Sequence, residues 1–262
     1  MDLFFYLFLF ITGLIVGVFS GLLGIGGALL MFPILLSVPV LINLPSIPVH
    51  VITGITAMQT TFGTAAAAYF HHKTGNVNNK LVINVGIGIA IGAFIGSVAS
   101  KYSPSLLLIW VYLFVLVLSA ILLMLRNSES DLSVPHTSVK QSSLILFLFG
   151  FIIGLPCGMI GLAGAVIIIP LLNTLFDVPL KICISSGTHI AFLASIITFI
   201  GKLLTGQIEL ISAIIISISA TIGAFIGTQL NKKADPAFLK KILLVVIILA
   251  LIMTFANIFF GY

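Results

Sequence analysis

The run Ser20-Gly21-Leu22-Leu23-Gly24-Ile25-Gly26-Gly27-Ala28 sits in the middle of about forty apolar residues and is closed by Pro33. A hydrophobic stretch of that length would ordinarily be one tilted helix or two. Here a cluster of residues of low helix propensity breaks it, at a depth where no water can compensate exposed backbone. Some other group must use the freed amides. The pattern returns 137 residues later as Cys157-Gly158-Met159-Ile160-Gly161-Leu162-Ala163-Gly164-Ala165, closed by Pro170. Whatever the first run does, the chain does twice.

The surroundings of both runs exclude a water-soluble globule: 60% of residues are hydrophobic and only 6% charged, against about 25% charge in an average soluble protein. The chain reads as a polytopic membrane protein in contact with the lipid bilayer. Its net charge of +5 comes mostly from short loops. It therefore carries topology information rather than a nucleic-acid surface. No Lys/Arg n-region or small-residue cleavage site marks the first apolar run as a secretory signal, so it is kept as part of the fold. Cys157 and Cys183 both lie in apolar segments and suggest neither a disulfide framework nor a metal site. No cofactor motif is legible; a dinucleotide fingerprint fails because position 29 is Leu and no strand precedes the glycines.

Ordinary spans of about 20 residues are expected at 50–70, 81–100, 105–125, 181–201, 208–230 and 237–260. The glycine runs occupy 3–43 and 143–176, each expected to be a hairpin of unequal helices. Gly17, Gly21, Gly24, Gly27, Ala28, Pro33 and Leu35 match Gly154, Gly158, Gly161, Gly164, Ala165, Pro170 and Leu172. Gly54 matches Gly187, which pairs Thr53 with Ser186 and Thr56 with His189. Ile91-Gly92-Ala93-Phe94-Ile95-Gly96-Ser97 reappears as Ile222-Gly223-Ala224-Phe225-Ile226-Gly227-Thr228. Residues 1–126 and 142–262 thus read as one unit duplicated, joined by a polar linker at 127–141. Helical membrane repeats of this kind are typical of secondary transporters, with the site at the repeat interface.

Basic residues decide how the copies are oriented. If 143–176 crosses an even number of times, Lys73, Lys80, Arg126, Lys140, Lys181, Lys232, Lys233, Lys240 and Lys241 fall on one side and only Lys101 and Lys202 on the other. A single crossing would split them five against six, contrary to the positive-inside rule. The expected fold is therefore all-α, with two inverted-topology repeats, each a glycine-broken hairpin plus three transmembrane helices. Both termini would lie outside and the linker in the cytoplasm.

Candidate site residues follow from these positions. Short helices starting after Gly27 and Gly164 would aim free N–H groups and a positive dipole end at a cavity, an arrangement that holds anions. That makes Ser20, Gly24, Gly26, Gly27 and Ala28, with Gly161, Ala163, Gly164 and Ala165, candidate substrate contacts. Hydroxyls of Thr53, Thr56, Ser186 and Thr188 and the ring of His189 lie on the adjoining spans and could donate to the same anion. Gly92-x-x-x-Gly96 and Gly223-x-x-x-Gly227 read instead as close helix contacts. The six acidic residues, at 2, 129, 131, 177, 209 and 235, all fall at loops or span ends, which disfavours cation transport. An anion leaving a negative-inside cell gains ~2.3 kcal/mol per charge per 100 mV without coupling.

The two glycine turns ending in proline, the His71-His72-Lys73-Thr74-Gly75-Asn76-Val77 loop and the twice-present Gly-Ala-x-x-Gly helix resemble the TauE/SafE family of sulfite exporters. The resemblance covers nearly the whole chain. It implies transport of sulfite, sulfonates, thiosulfate or related organic anions across the cytoplasmic membrane. An anion channel of the same fold, and a membrane-embedded enzyme or accessory subunit, are the alternative readings. Substrate identity, direction, coupling ion and homo-oligomerisation stay open at this point.

Overall fold

The computed structural model of the chain describes residues 3–24, 27–72, 77–124, 142–175, 178–231 and 234–260. The linker at 127–141, the Lys73 to Asn76 part of the basic loop, and Ile25 and Gly26 of the first glycine run lie outside the described residues. Ten α-helices account for nearly everything else. They are α1 (Leu3–Leu23), α2 (Ala28–Leu41), α3 (Val49–His72), α4 (Asn79–Ala99), α5 (Ser105–Met124), α6 (Ser143–Ile160), α7 (Ala165–Leu175), α8 (Leu180–Leu204), α9 (Leu210–Asn231) and α10 (Pro236–Phe260). No strand occurs among the described residues. That follows from the solvent: in lipid each backbone N–H must find its partner within its own segment, and a helix provides it.

Seven helices, α1, α4, α5, α6, α8, α9 and α10, are long and apolar enough to cross a bilayer. The chain is an all-helical multi-pass membrane protein. Lipid would meet residues such as Phe114, Ile152, Ile218 and Phe225, whose side chains are half or more exposed. α3 is equally long at 24 residues but more polar, and it fills the middle of the bundle rather than its rim. Thr53, Thr56, Gln59, Thr60 and Thr64 on α3 are all fully buried. A central helix needs no lipid-compatible face, because its neighbours satisfy it.

Packing is exchanged between the two halves. A Cβ on Gly13, Gly17 or Gly21 of α1 would run into the carbonyls of Ile216, Ala220 or Ala224 on α9. One on Gly150, Gly154 or Gly158 of α6 would strike the carbonyls of Val85, Ile89 or Ala93 on α4. From the opposite side, Gly223 and Gly227 press on Leu14 and Val18, and Gly92 and Gly96 on Phe151 and Leu155. Glycine at four-residue spacing lets two backbones approach within carbonyl contact. In each pair residue numbers rise together, so α1 runs parallel to α9 and α6 parallel to α4. α3 and α8 run antiparallel instead: Thr53 meets Lys202 while Thr64 meets Ser195, the latter at 3.2 Å between hydroxyl oxygens. Swapping α1–α5 with α6–α10 turns each of these helix pairs into another, or into itself.

Candidate substrate-binding site

Each glycine run is a helix-ending turn with two glycines in left-handed backbone. Gly24 and Gly27 have φ of 69° and 73°, and Gly161 and Gly164 have 78° and 77°. A side chain in that region costs roughly 1–2 kcal/mol, so the three-residue spacing common to both runs has a backbone cause. Gly24 and Gly161 terminate α1 and α6: the Gly24 amide donates to Ser20 O at 2.9 Å, and Gly161 C-caps α6, its amide donating to Cys157 O. Gly27 and Gly164 then launch α2 and α7 back along the bundle, each carbonyl accepting the first amides of the new helix. Ala163, which stands in the second run where Gly26 stands in the first, is buried and has no positive φ.

The residues singled out in the sequence divide between two places. At the first turn, Thr188 Oγ1 donates to Gly24 O at 3.1 Å and to Ile184 O at 2.6 Å. At the second, Thr56 Oγ1 reaches Ile160 O at 3.4 Å and Ile52 O at 2.9 Å. Thr56 and Thr188 are therefore the equivalent pair, not Thr56 and His189. The numbering offset between halves is 137 at the glycine turns but 132 here, because the second copy is shorter before α8. Thr53 Oγ1 donates to His50 O at 2.7 Å and accepts from Lys202 Nζ at 2.8 Å. Ser186 Oγ accepts from the amide of Asn78 at 2.9 Å. Nδ1 of half-buried His189 lies 2.8 Å from Ser185 O. Thr188 and Lys202 are fourteen residues apart on α8, about 21 Å at 1.5 Å per residue. The two turns are accordingly not brought together; each sits toward a different end of the α3–α8 pair.

At the start of α2 lie donors that no side chain among the described residues takes up. Gly27 is its N-cap and offers no side-chain cap, so the first amides of a 14-residue helix are available to an acceptor. Gly27 lacks the Cβ that would stand 2.7 Å from Gln59 Nε2, 2.9 Å from Val16 Cγ1 and 3.1 Å from Ser20 Cβ. Ser20 is fully buried, and its hydroxyl has no hydrogen-bond partner among the described residues. Buried hydroxyls are nearly always paired, so the Ser20 hydroxyl beside an uncapped helix start is a donor without an acceptor among the described residues. Ser20→Ala should leave the melting temperature of the purified protein unchanged or slightly raised, since an unsatisfied hydroxyl costs roughly 1–3 kcal/mol. It should abolish stabilisation by a bound anion, and a lower melting temperature with the anion response intact would refute this role.

Comparison with known proteins identifies the family. The sequence model of the sulfite exporter TauE/SafE family matches residues 9–254. The chain belongs to the TauE/SafE family. A probable membrane transporter protein of Bacillus subtilis, YunE, is 24% identical to it over 93% of this chain and 95% of its own length. A probable membrane transporter protein of Methanocaldococcus jannaschii is 26% identical over 90% of each. No solved structure matches the chain significantly. As a TauE/SafE protein it is a membrane transporter by family.

Sequence reasoning missed Lys202, Ser100 and Gln207. Lys202 falls one residue past the 181–201 span expected from the sequence; in the structure α8 continues to Leu204 and the lysine is fully buried. The available signal was its neighbour Gly201, where a Cβ would collide with Ser97 Oγ: a small residue beside a lysine marks a helix packed closely around it.

Proposed function

We infer that the chain moves a small oxyanion, sulfite or an organosulfonate, across the cytoplasmic membrane by alternating access, and in the exporting direction. The observation that carries this reading is the start of α2, where an uncapped helix N-terminus, a missing Cβ at Gly27 and the unpaired Ser20 hydroxyl adjoin. Donors without a carboxylate beside them favour an anion. The turns at Gly24 to Ala28 and Gly161 to Ala165, with Thr53, Thr56, Ser186, Thr188 and His189, would then act as two half-sites used in turn, one from each end of the α3–α8 pair.

Such use suits an inverted repeat. The opposed directions of α3 and α8 and the reciprocal α1–α9 and α4–α6 contacts support that reading, and the positive-inside count puts the linker in the cytoplasm and both termini outside. On that orientation Gly24 lies toward the cytoplasm and Gly161 toward the outside. Export is downhill for an anion at ~2.3 kcal/mol per charge per 100 mV, so a two-sided gate suffices.

Counterflow in proteoliposomes tests this. Vesicles preloaded with unlabelled sulfite should accelerate entry of labelled sulfite, and taurine, sulfoacetate and thiosulfate should compete to different degrees. Flux without acceleration by internal substrate would mean a channel. No flux of any sulfur oxyanion, together with no thermal stabilisation by one, would sink the reading in favour of an enzyme or accessory role.

A further inference from the structure

Lys202, in the last turn of α8, is fully buried, and its side-chain nitrogen is enclosed by four acceptors from four other parts of the chain. Thr53 Oγ1 lies at 2.8 Å, Ser100 Oγ at 2.6 Å, Met159 O at 2.8 Å and Gln207 Oε1 at 3.0 Å. The hydrogens of these groups are directed elsewhere. Thr53 donates to His50 O at 2.7 Å, Ser100 is 2.7 Å from Ser97 O, and the Gln207 amide nitrogen donates to Ser97 O at 3.1 Å and Thr205 Oγ1 at 2.6 Å. A neutral amine has two hydrogens to give and an ammonium three, so a shell made only of acceptors is built for the charged form. None of the four is a carboxylate, and the cation has no counter-charge in its shell. In a low-dielectric interior an uncompensated charge is a strong attractor for an anion.

Repeat geometry separates this charge from a purely structural duty. Met159 precedes the left-handed Gly161 by two residues, as Leu22 precedes Gly24. The Leu22 carbonyl is satisfied by the neutral amide of Asn231 Nδ2 at 2.6 Å, and Asn231 is the repeat counterpart of Ser100. Closing the last carbonyls of α1 is thus accomplished without a charge. At α6 the same place is given to a cation, beside the turn where Thr53 O and Thr56 Oγ1 crowd Gly161.

We propose that Lys202 is a ligand of the transported oxyanion at the second glycine turn: its ammonium, held here by four neutral acceptors, exchanges them for the anion's oxygens when that end of the bundle opens. The same charge makes the path prefer anions. This assignment rests on the transport reading above and adds to it the residue that selects for charge.

The test uses the full-length protein in proteoliposomes with labelled sulfite, comparing wild type with Lys202→Met, Lys202→Arg and Gln207→Leu. Removing a charge-assisted contact should raise the KM of Lys202→Met by about tenfold or more, while Lys202→Arg keeps saturable anion flux. A latch role alone would lower the maximal rate or the amount of folded protein and leave KM where it was; an unchanged KM in Lys202→Met overturns the proposal. Should that variant fail to insert, Gln207→Leu decides. Loss of one competing acceptor should lower KM several-fold, and an unchanged KM counts against Lys202 as firmly. If wild-type protein moves no anion at all, the transport reading falls and this assignment falls with it, a result distinct from wild-type flux that is indifferent to Lys202.

Discussion

Gly158→Leu should leave no folded protein to recover. Any Cβ at this position would stand 2.6 Å from Ala93 Cα and 2.7 Å from Ala93 C, besides striking the Ala93 carbonyl oxygen. All three are backbone atoms of α4, which cannot move aside as a side-chain tip can. Admitting leucine means prising α6 off α4 along the whole seam from Gly150 to Gly158, and a loss above about 4 kcal/mol is expected where cores are overpacked against backbone. Size-exclusion chromatography of detergent-solubilised protein checks this: the variant should run as aggregate or be absent. Ile218→Ala, on the lipid-facing side of α9 with 56% exposure, should elute as wild type does. A monodisperse Gly158→Leu protein would show that the α4–α6 seam is not what it is described to be.

Gly27→Ala should have a different signature, losing function while keeping the fold. Its cost is the left-handed φ of 73°, roughly 1–2 kcal/mol, and a methyl group 2.7 Å from the Gln59 amide nitrogen, a flexible end that can swing away. Most molecules should still fold. The methyl would nevertheless stand between Ser20, Gln59 and the first amides of α2, where the proposed oxyanion would have to approach. Anion-induced thermal stabilisation and sulfite flux should both disappear, with the unliganded melting temperature reduced by a few degrees. Retained flux would move the substrate away from this turn. Gly26, a further candidate contact in this run, lies outside the described residues.

The helices were legible in the sequence because the bilayer leaves a long apolar run few alternatives, and observed ends such as those of α5 and α9 fall within two residues of those expected. The turns were legible because left-handed backbone requires glycine, and it recurs at the same three-residue spacing in both halves. What could not be read was how elements far apart in sequence stand to each other. The run 50–70 was expected as one span among six, yet α3 is the most enclosed polar helix; composition hints at this but does not say which neighbours enclose it. Repeat alignment through Gly54 and Gly187 put Thr56 opposite His189, one residue off, because length differences in the loops are invisible to a glycine-to-glycine match. The Lys202 shell draws on α3, the turn that follows α4, α6 and the α8–α9 connection, and no local pattern joins four such segments.

The exchange of partners between halves bears on how the protein is made. α1 leaves the ribosome long before α9, yet the surface shaped to receive its glycines belongs to α9. Until then Gly13, Gly17 and Gly21 face whatever is at hand, lipid or insertase, with their close-packing edge uncovered. α4 waits similarly for α6, though only across the linker. Neither copy of the repeat contains the partner of its own first helix, so neither is a folding unit. The smallest assembly that can close its seams is the pair, whether both copies arrive on one chain or on two.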